Sequence, residues 1–121
     1  MKTYLLVFLG GGLGSIIRFS VSKWIPYTGN SFPWATFFAN IAACIVLSAT
    51  FSLIERLKIS NNDYRLFVIT GFCGGFSTFS TFSFETVSLI QSSHYFMALL
   101  YVFSSVLIGI VSVFAIAKFL A

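Results

Sequence analysis

Charge is the scarcest property of this sequence. Of 121 residues only 8% are Asp, Glu, Lys or Arg, and the acids number three: Glu55, Asp63 and Glu85. A water-soluble globular chain carries about 25% charged residues, so there is too little polar surface here to coat a soluble sphere. Cysteine is nearly absent too. Cys44 and Cys73 lie in separate apolar stretches with no CxxC spacing. No disulfide or redox compartment follows, and both read as small buried hydrophobes. The single His94 has no second ligand nearby and reads as a solvated link residue. Paired carboxylates, an HExxH helix, a P-loop and a Cys–His arrangement are all missing, so enzyme readings fail. GGGLG at residues 10–14 only echoes a dinucleotide fingerprint, because no strand precedes it and no acid follows at the right distance. The net charge of +4 is spread between apolar stretches rather than clustered. That argues against nucleic acid and for loop charges that orient a membrane protein.

What the sequence has is apolar length. Hydrophobic residues make up 58%, and mean hydropathy is +0.97. At about 20 apolar residues per crossing, the chain has room for four transmembrane helices in a single domain, residues 1–121. The expected class is an all-α membrane protein, with helices over about 3–24, 34–54, 64–91 and 96–120. The first apolar stretch is followed by Arg18 and Lys23 rather than by a small-residue cleavage site, so it is kept as a helix and not a signal peptide. Pro26, Gly29 and Asn30 supply turn chemistry after it. Ser92 to Tyr95 is a tight link that makes the third and fourth helices antiparallel neighbours. Four crossings put both termini on the side of the polar Glu55–Asp63 connection. Lys2, Arg56, Lys58, Arg65 and Lys118 then face Arg18 and Lys23 across the membrane, and the positive-inside rule favours cytoplasmic termini.

Polar groups inside the spans are few and gathered. The first span carries Gly10, Gly11, Gly12 and Gly14, which let membrane helices approach closely. Its Arg18 can snorkel to the interface or line a vestibule that attracts anions. Asn40 in the second span is either helix–helix glue or a donor facing a permeating anion. The third span holds GFCGGFSTFSTFSFE at residues 71–85. Gly71, Gly74 and Gly75 cost helix stability, the hydroxyls from Ser77 to Ser83 offer the backbone other partners, and the span is long for one crossing. Together they predict a third helix broken at its Gly-rich midpoint. Irregular backbone at that depth is tolerated only where it is buried in protein or lines an aqueous cavity. In the fourth span Tyr101, Ser105, Gly109 and Ser112 form one helical stripe that suits a packing seam or a pore wall.

For an ion path these residue types point toward an anion. Carboxylates are nearly absent from the spans, while hydroxyls, an amide and aromatic rings are plentiful. A ring's edge is electropositive, and Phe79 and Phe82, three apart on similar helix faces, can present edges to a small anion. A helix restarting after the break adds its positive end, and the carbonyls that the break frees are cation ligands. Spacing alone leaves the bland alternative open, in which Phe72, Phe76, Phe79, Phe82 and Phe84 pack a core.

Three patches carry a family likeness. GGGLGSIIRF at residues 10–19, ATFFAN at 35–40 and GFCGGFSTFSTFSFE at 71–85 resemble the first-, second- and third-helix signatures of the Fluc (CrcB) fluoride channels. The likeness covers essentially the full length. It implies an antiparallel, dual-topology dimer of four-helix subunits in the cell membrane, a bacterial-type inner membrane, with two fluoride pores at the interface. The resemblance places the pore-lining role on Phe79 and Phe82, with Asn40, Ser80, Thr81, Tyr101 and Ser105 along the pathway. Arg18 and Glu85 become vestibule or structural polar groups. A structural Na+, not transported, would rest on the backbone carbonyls of Gly74 and Ser77. The implied activity is passive, selective fluoride efflux. Ala35 stands where the family usually has Gly, Phe37 where Leu is common, and Ser77 where Thr is commoner.

Subunits that insert both ways should have balanced loop charge, and five basic residues against two leave the partner as an identical chain or a paralogue. Two rival classes stand beside the channel. A small proton-coupled multidrug exporter should carry a membrane Glu in its first helix, where this chain has no acid. A non-transporting membrane subunit is the other.

Overall fold

The structure, a computed structural model, describes residues 1–121 and is all helical. Helix α1 spans Lys2–Trp24 and α2 spans Trp34–Arg56. Helix α3 is wound as a π-helix over Arg65–Cys73 and continues through Gly74–Phe76. Helix α4 covers Phe79–Gln91 and α5 covers Tyr95–Leu120. Because α3 and α4 together make one span, Arg65–Gln91, four segments are long and apolar enough to cross a bilayer. The chain is a multi-pass membrane protein. Helix α2 runs to Arg56 rather than stopping near Ile54, since Glu55 and Arg56 can stay helical once the chain reaches water.

Only 18 of 121 residues are buried, as suits helices whose outward apolar side chains face lipid instead of a core. What brings α1 so close to α3 is backbone packed against backbone. A Cβ at Gly10 would overlap the Phe67 carbonyl, one at Gly14 the Phe72 carbonyl, and one at Gly75 the Gly11 carbonyl. At Gly71 it would sit 2.9 Å from the Val7 carbonyl oxygen. This is a small-residue seam, with glycines four apart on both helices. Gly12 lies off it, and a Cβ there would meet nothing within 4 Å.

Side chains do the joining elsewhere. Phe37, Leu89, Ala98 and Tyr101 form one buried cluster, with Phe32 and Phe82 packed against it; Ala39, Ala43 and Phe76 form another. The Ser48 hydroxyl donates to the Val113 carbonyl at 2.9 Å and ties α2 to α5. Gly109 of the fourth-span stripe faces Cys44 and Ile41 on α2, so that part is a packing seam. Outside the spans, Lys2 Nζ reaches Asp63 at 2.6 Å, and this hydrogen bond holds the Asp63 carboxyl below its usual range. His94 is half-buried rather than solvated. The tight link, with Ser93 at φ 63°, folds it back so that its N–H donates to the Leu89 carbonyl at 2.8 Å.

Candidate functional site: a groove at the gap in the third span

Between α3 and α4 two residues leave the helix. Ser77 has φ −79° and ψ 157°, and Thr78 has φ −151° and ψ 115°, both extended. The gap lies beyond the glycines, which remain helical because Gly71 and Gly75 serve the seam with α1.

A gap in a helix frees backbone groups that need partners at membrane depth. Most find them. The Ser77 N–H and hydroxyl both donate to the Cys73 carbonyl, at 3.0 and 2.7 Å. The Thr78 N–H donates to Asn40 Oδ1 at 2.7 Å, while Asn40 Nδ2 donates to the Thr78 carbonyl at 3.3 Å. One amide side chain thus pairs with Thr78 as a neighbouring strand would. The Gly75 carbonyl accepts from Arg18 Nε at 3.1 Å and Ser15 Oγ at 3.4 Å, both from α1. No donor of the chain reaches the carbonyl oxygens of Gly74 or Ser77. Helix α4 then restarts on a side-chain cap, the Thr78 hydroxyl accepting from the Thr81 N–H at 3.2 Å.

Beside the gap is a groove of about 270 Å³. It brings together Asn40 from α2, Phe79 and Phe82 from α4, and Ser105 from α5, with Ser77 and Thr78 as its polar edge and Cys44 and Val106 completing the wall. The rings of Phe79 and Phe82 are 5.9 Å apart between centroids, inclined at 36°, and Phe79 is 80% exposed. The Ser105 hydroxyl is buried with no partner in the chain. One Asn40 amide hydrogen is also free, since Nδ2 carries two and gives one to Thr78. No carboxyl group lines the groove. Its chemistry is donors, ring edges and the positive end of a 13-residue helix, which suits a small anion.

Ser80, Thr81 and Tyr101 are not on its wall. Thr81 and Ser80 gather around the Thr78 hydroxyl, at 3.0 and 3.3 Å, and belong to the start of α4. Tyr101 is fully buried, its hydroxyl donating to Glu85 Oε2 at 2.7 Å. Thr36 Oγ1 donates to the other oxygen of that carboxyl, also at 2.7 Å, and Glu85 is itself buried. The Tyr101 ring lies 4.9 Å from Phe82, centroid to centroid, and backs it from behind. Tyr27, from the first loop, donates to the Glu85 backbone carbonyl at 3.4 Å. Thr36 escaped the sequence reading, and Thr78 entered it only as one hydroxyl of the third-span run rather than as a site residue, although each had a signal. Thr36 lies one turn before Asn40 on the same face of α2, and Thr78 is a hydroxyl placed just before a helical restart.

Comparison with known proteins gives this arrangement its context. The family model for CrcB-like protein, Camphor Resistance (CrcB), matches residues 5–117. Among similar proteins is the "Fluoride-specific ion channel FluC" of Phocaeicola vulgatus, 46% identical over 114 residues, 93% of each chain. Its namesake in Flavobacterium psychrophilum is 41% identical over 113 residues, covering 93% of this chain and 91% of that one. That of Pyrococcus abyssi is 40% identical over 114 residues, covering 94% and 92%. With both the family model and these relatives matched along nearly its whole length, the chain belongs to the CrcB family.

Proposed function

We propose that this protein is a fluoride-selective channel that lets fluoride leave the cell passively. The observation that carries the reading is the groove, where Phe79, Phe82, a free Asn40 amide hydrogen and the unclaimed Ser105 hydroxyl converge at the start of α4. The relatives' names supply the ion. Fluoride is a small, strong hydrogen-bond acceptor. A path that strips its water must return donors and ring edges in their place, because an unpaired charge in a low-dielectric interior is costly.

The groove is open on one side, with Phe79 standing free. An antiparallel second subunit, an identical chain or a paralogue, would close it and double it, giving two pores. Ser80, Thr81 and Tyr101 then shape the route from behind the groove wall, and Arg18 and Glu85 hold its framework. Gly74 is exposed and its carbonyl, like that of Ser77, lacks a donor within the chain. Two such oxygens suit a hard cation, and a Na+ held there between subunits would supply fixed positive charge that offsets the cost of an anion near the midplane.

The test is direct. Purified protein in liposomes should release fluoride to an electrode and retain chloride. Equal leakage of both, or release of neither, overturns the reading. Terminal tags detected on both membrane faces in cells making only this chain would support dual topology with an identical partner; tags on one face would require a paralogue.

A further inference from the structure

We infer that Arg18 is a positioning residue for the candidate cation site: with Ser15 it ties down the Gly75 carbonyl, and so fixes the stretch of backbone that presents the free Gly74 and Ser77 carbonyls. This rests on the cation reading above, and on a tally of the gap itself.

The extended pair at Ser77 and Thr78 interrupts the helical ladder, so carbonyls at the gap lose their usual N–H donors four residues on. Thr78 N–H, which would have served Gly74, goes to Asn40. Thr81 N–H, which would have served Ser77, goes to the Thr78 hydroxyl. Gly75, which falls between those two, is different. Its carbonyl receives Arg18 Nε at 3.1 Å and Ser15 Oγ at 3.4 Å. The bond from a guanidinium is charge-assisted and stronger than one between neutral groups. Its geometry is also fixed from both sides, because Gly75 is held against the Gly11 backbone, where no side chain can intervene.

The cation of Arg18 need not repel a second one. Gly75 faces α1, whereas Gly74 is exposed and has open space where a Cβ would be. Arg18 therefore sits on the α1 side of α3, and Gly74 on the open side. Loss of position should outweigh relief of repulsion when Arg18 is removed.

The readout is the extra thermal stability that Na+ gives over the bulky cation N-methylglucamine, measured on the detergent-purified full chain across a Na+ series. Arg18→Met should raise the Na+ concentration for half-maximal stabilisation by about tenfold, the lower end for a lost charge-assisted hydrogen bond. Arg18→Gln, which keeps an N–H donor, should recover part of it. Ser15→Ala should give a smaller shift and serves if Arg18→Met does not fold. Ser20→Ala, whose hydroxyl bonds only its own helix at Ile16, should match the parent. Melting points lowered equally in both cations, with the Na+ midpoint unmoved, would reduce Arg18 to a packing residue and overturn the inference. If the unsubstituted protein gains nothing from Na+, the cation reading itself fails and the inference goes with it.

Discussion

On one side of the Ser77–Thr78 gap, α3 meets α1 through glycine backbone, with carbonyls where side chains would be. On the other, α4 meets α2 and α5 entirely through side chains: Glu85 to Thr36 and Tyr101, and Phe82 against the Tyr101 ring. The two halves belong to one span, yet they use opposite means. The glycine half has no rotamers to adjust, so it fixes where the gap sits. The side-chain half can tilt and repack, so it sets what the groove presents.

If that contrast holds, substitutions on the two sides should fail differently. The largest effect is expected at the seam. Gly75→Ala drives a methyl group into the Gly11 carbonyl. Overpacking costs about 1–3 kcal/mol even where side chains can give way, and here only backbone can. Gel filtration should show little folded protein, while Gly12→Ala elutes as the parent does. Equal recovery of both would break the contrast at its root.

Asn40→Asp comes next and acts across the gap. The carboxylate cannot donate to the Thr78 carbonyl and sets two acceptors face to face. An unsatisfied buried group costs about 1–3 kcal/mol, so fluoride flux from liposomes should fall by about ten- to a hundredfold. Undiminished flux would return Asn40 to the role of plain helix glue. Phe82→Ile removes one ring edge and the partner of Tyr101. An aromatic contact is worth about 0.5–1.5 kcal/mol, which corresponds to about a tenfold loss of flux at most. The same flux as the parent would take Phe82 off the pathway.

Tyr101→Phe sharpens the comparison, since it deletes only the hydroxyl on Glu85. Leaving a buried group unpaired costs about 1–3 kcal/mol, so the melting point should drop while flux falls only a few-fold. A reversed ranking, flux lost and stability kept, would put the Tyr101 hydroxyl on the pathway after all. The smallest effect belongs to Lys2 and Asp63, in water beyond both halves. The Asp63 carboxyl is held below its usual value in the folded state, so its contribution is present above the unfolded value and lost as pH falls through the folded one. A melting-point titration should show a slight acid loss that salt weakens and Lys2→Ala removes.

The sequence made the spans legible because hydropathy and length decide them, and the third, read as about 64–91 and found as Arg65–Gln91, stood out as one long segment interrupted by polar residues. It also made legible that Asn40, Phe79, Phe82 and Ser105 were worth following, and these four share a groove. What stayed hidden were long-range partners. Nothing in the local pattern says that Asn40 pairs with Thr78, 38 residues on, or that Tyr101 gives its hydroxyl to Glu85. The glycines of the third span looked like a place to break a helix, and two of them instead bring it against α1. Composition cannot tell those uses apart, since both need the missing Cβ.

Gly12 sits about half a turn of α1 from this seam, between Gly10 and Gly14 in sequence but on the opposite face and open to its surroundings. A cysteine introduced there could carry a spin label or dye at mid-helix without touching a single interhelical contact. The least forgiving helix in the protein therefore also offers its safest handle for watching how the subunit sits in a bilayer.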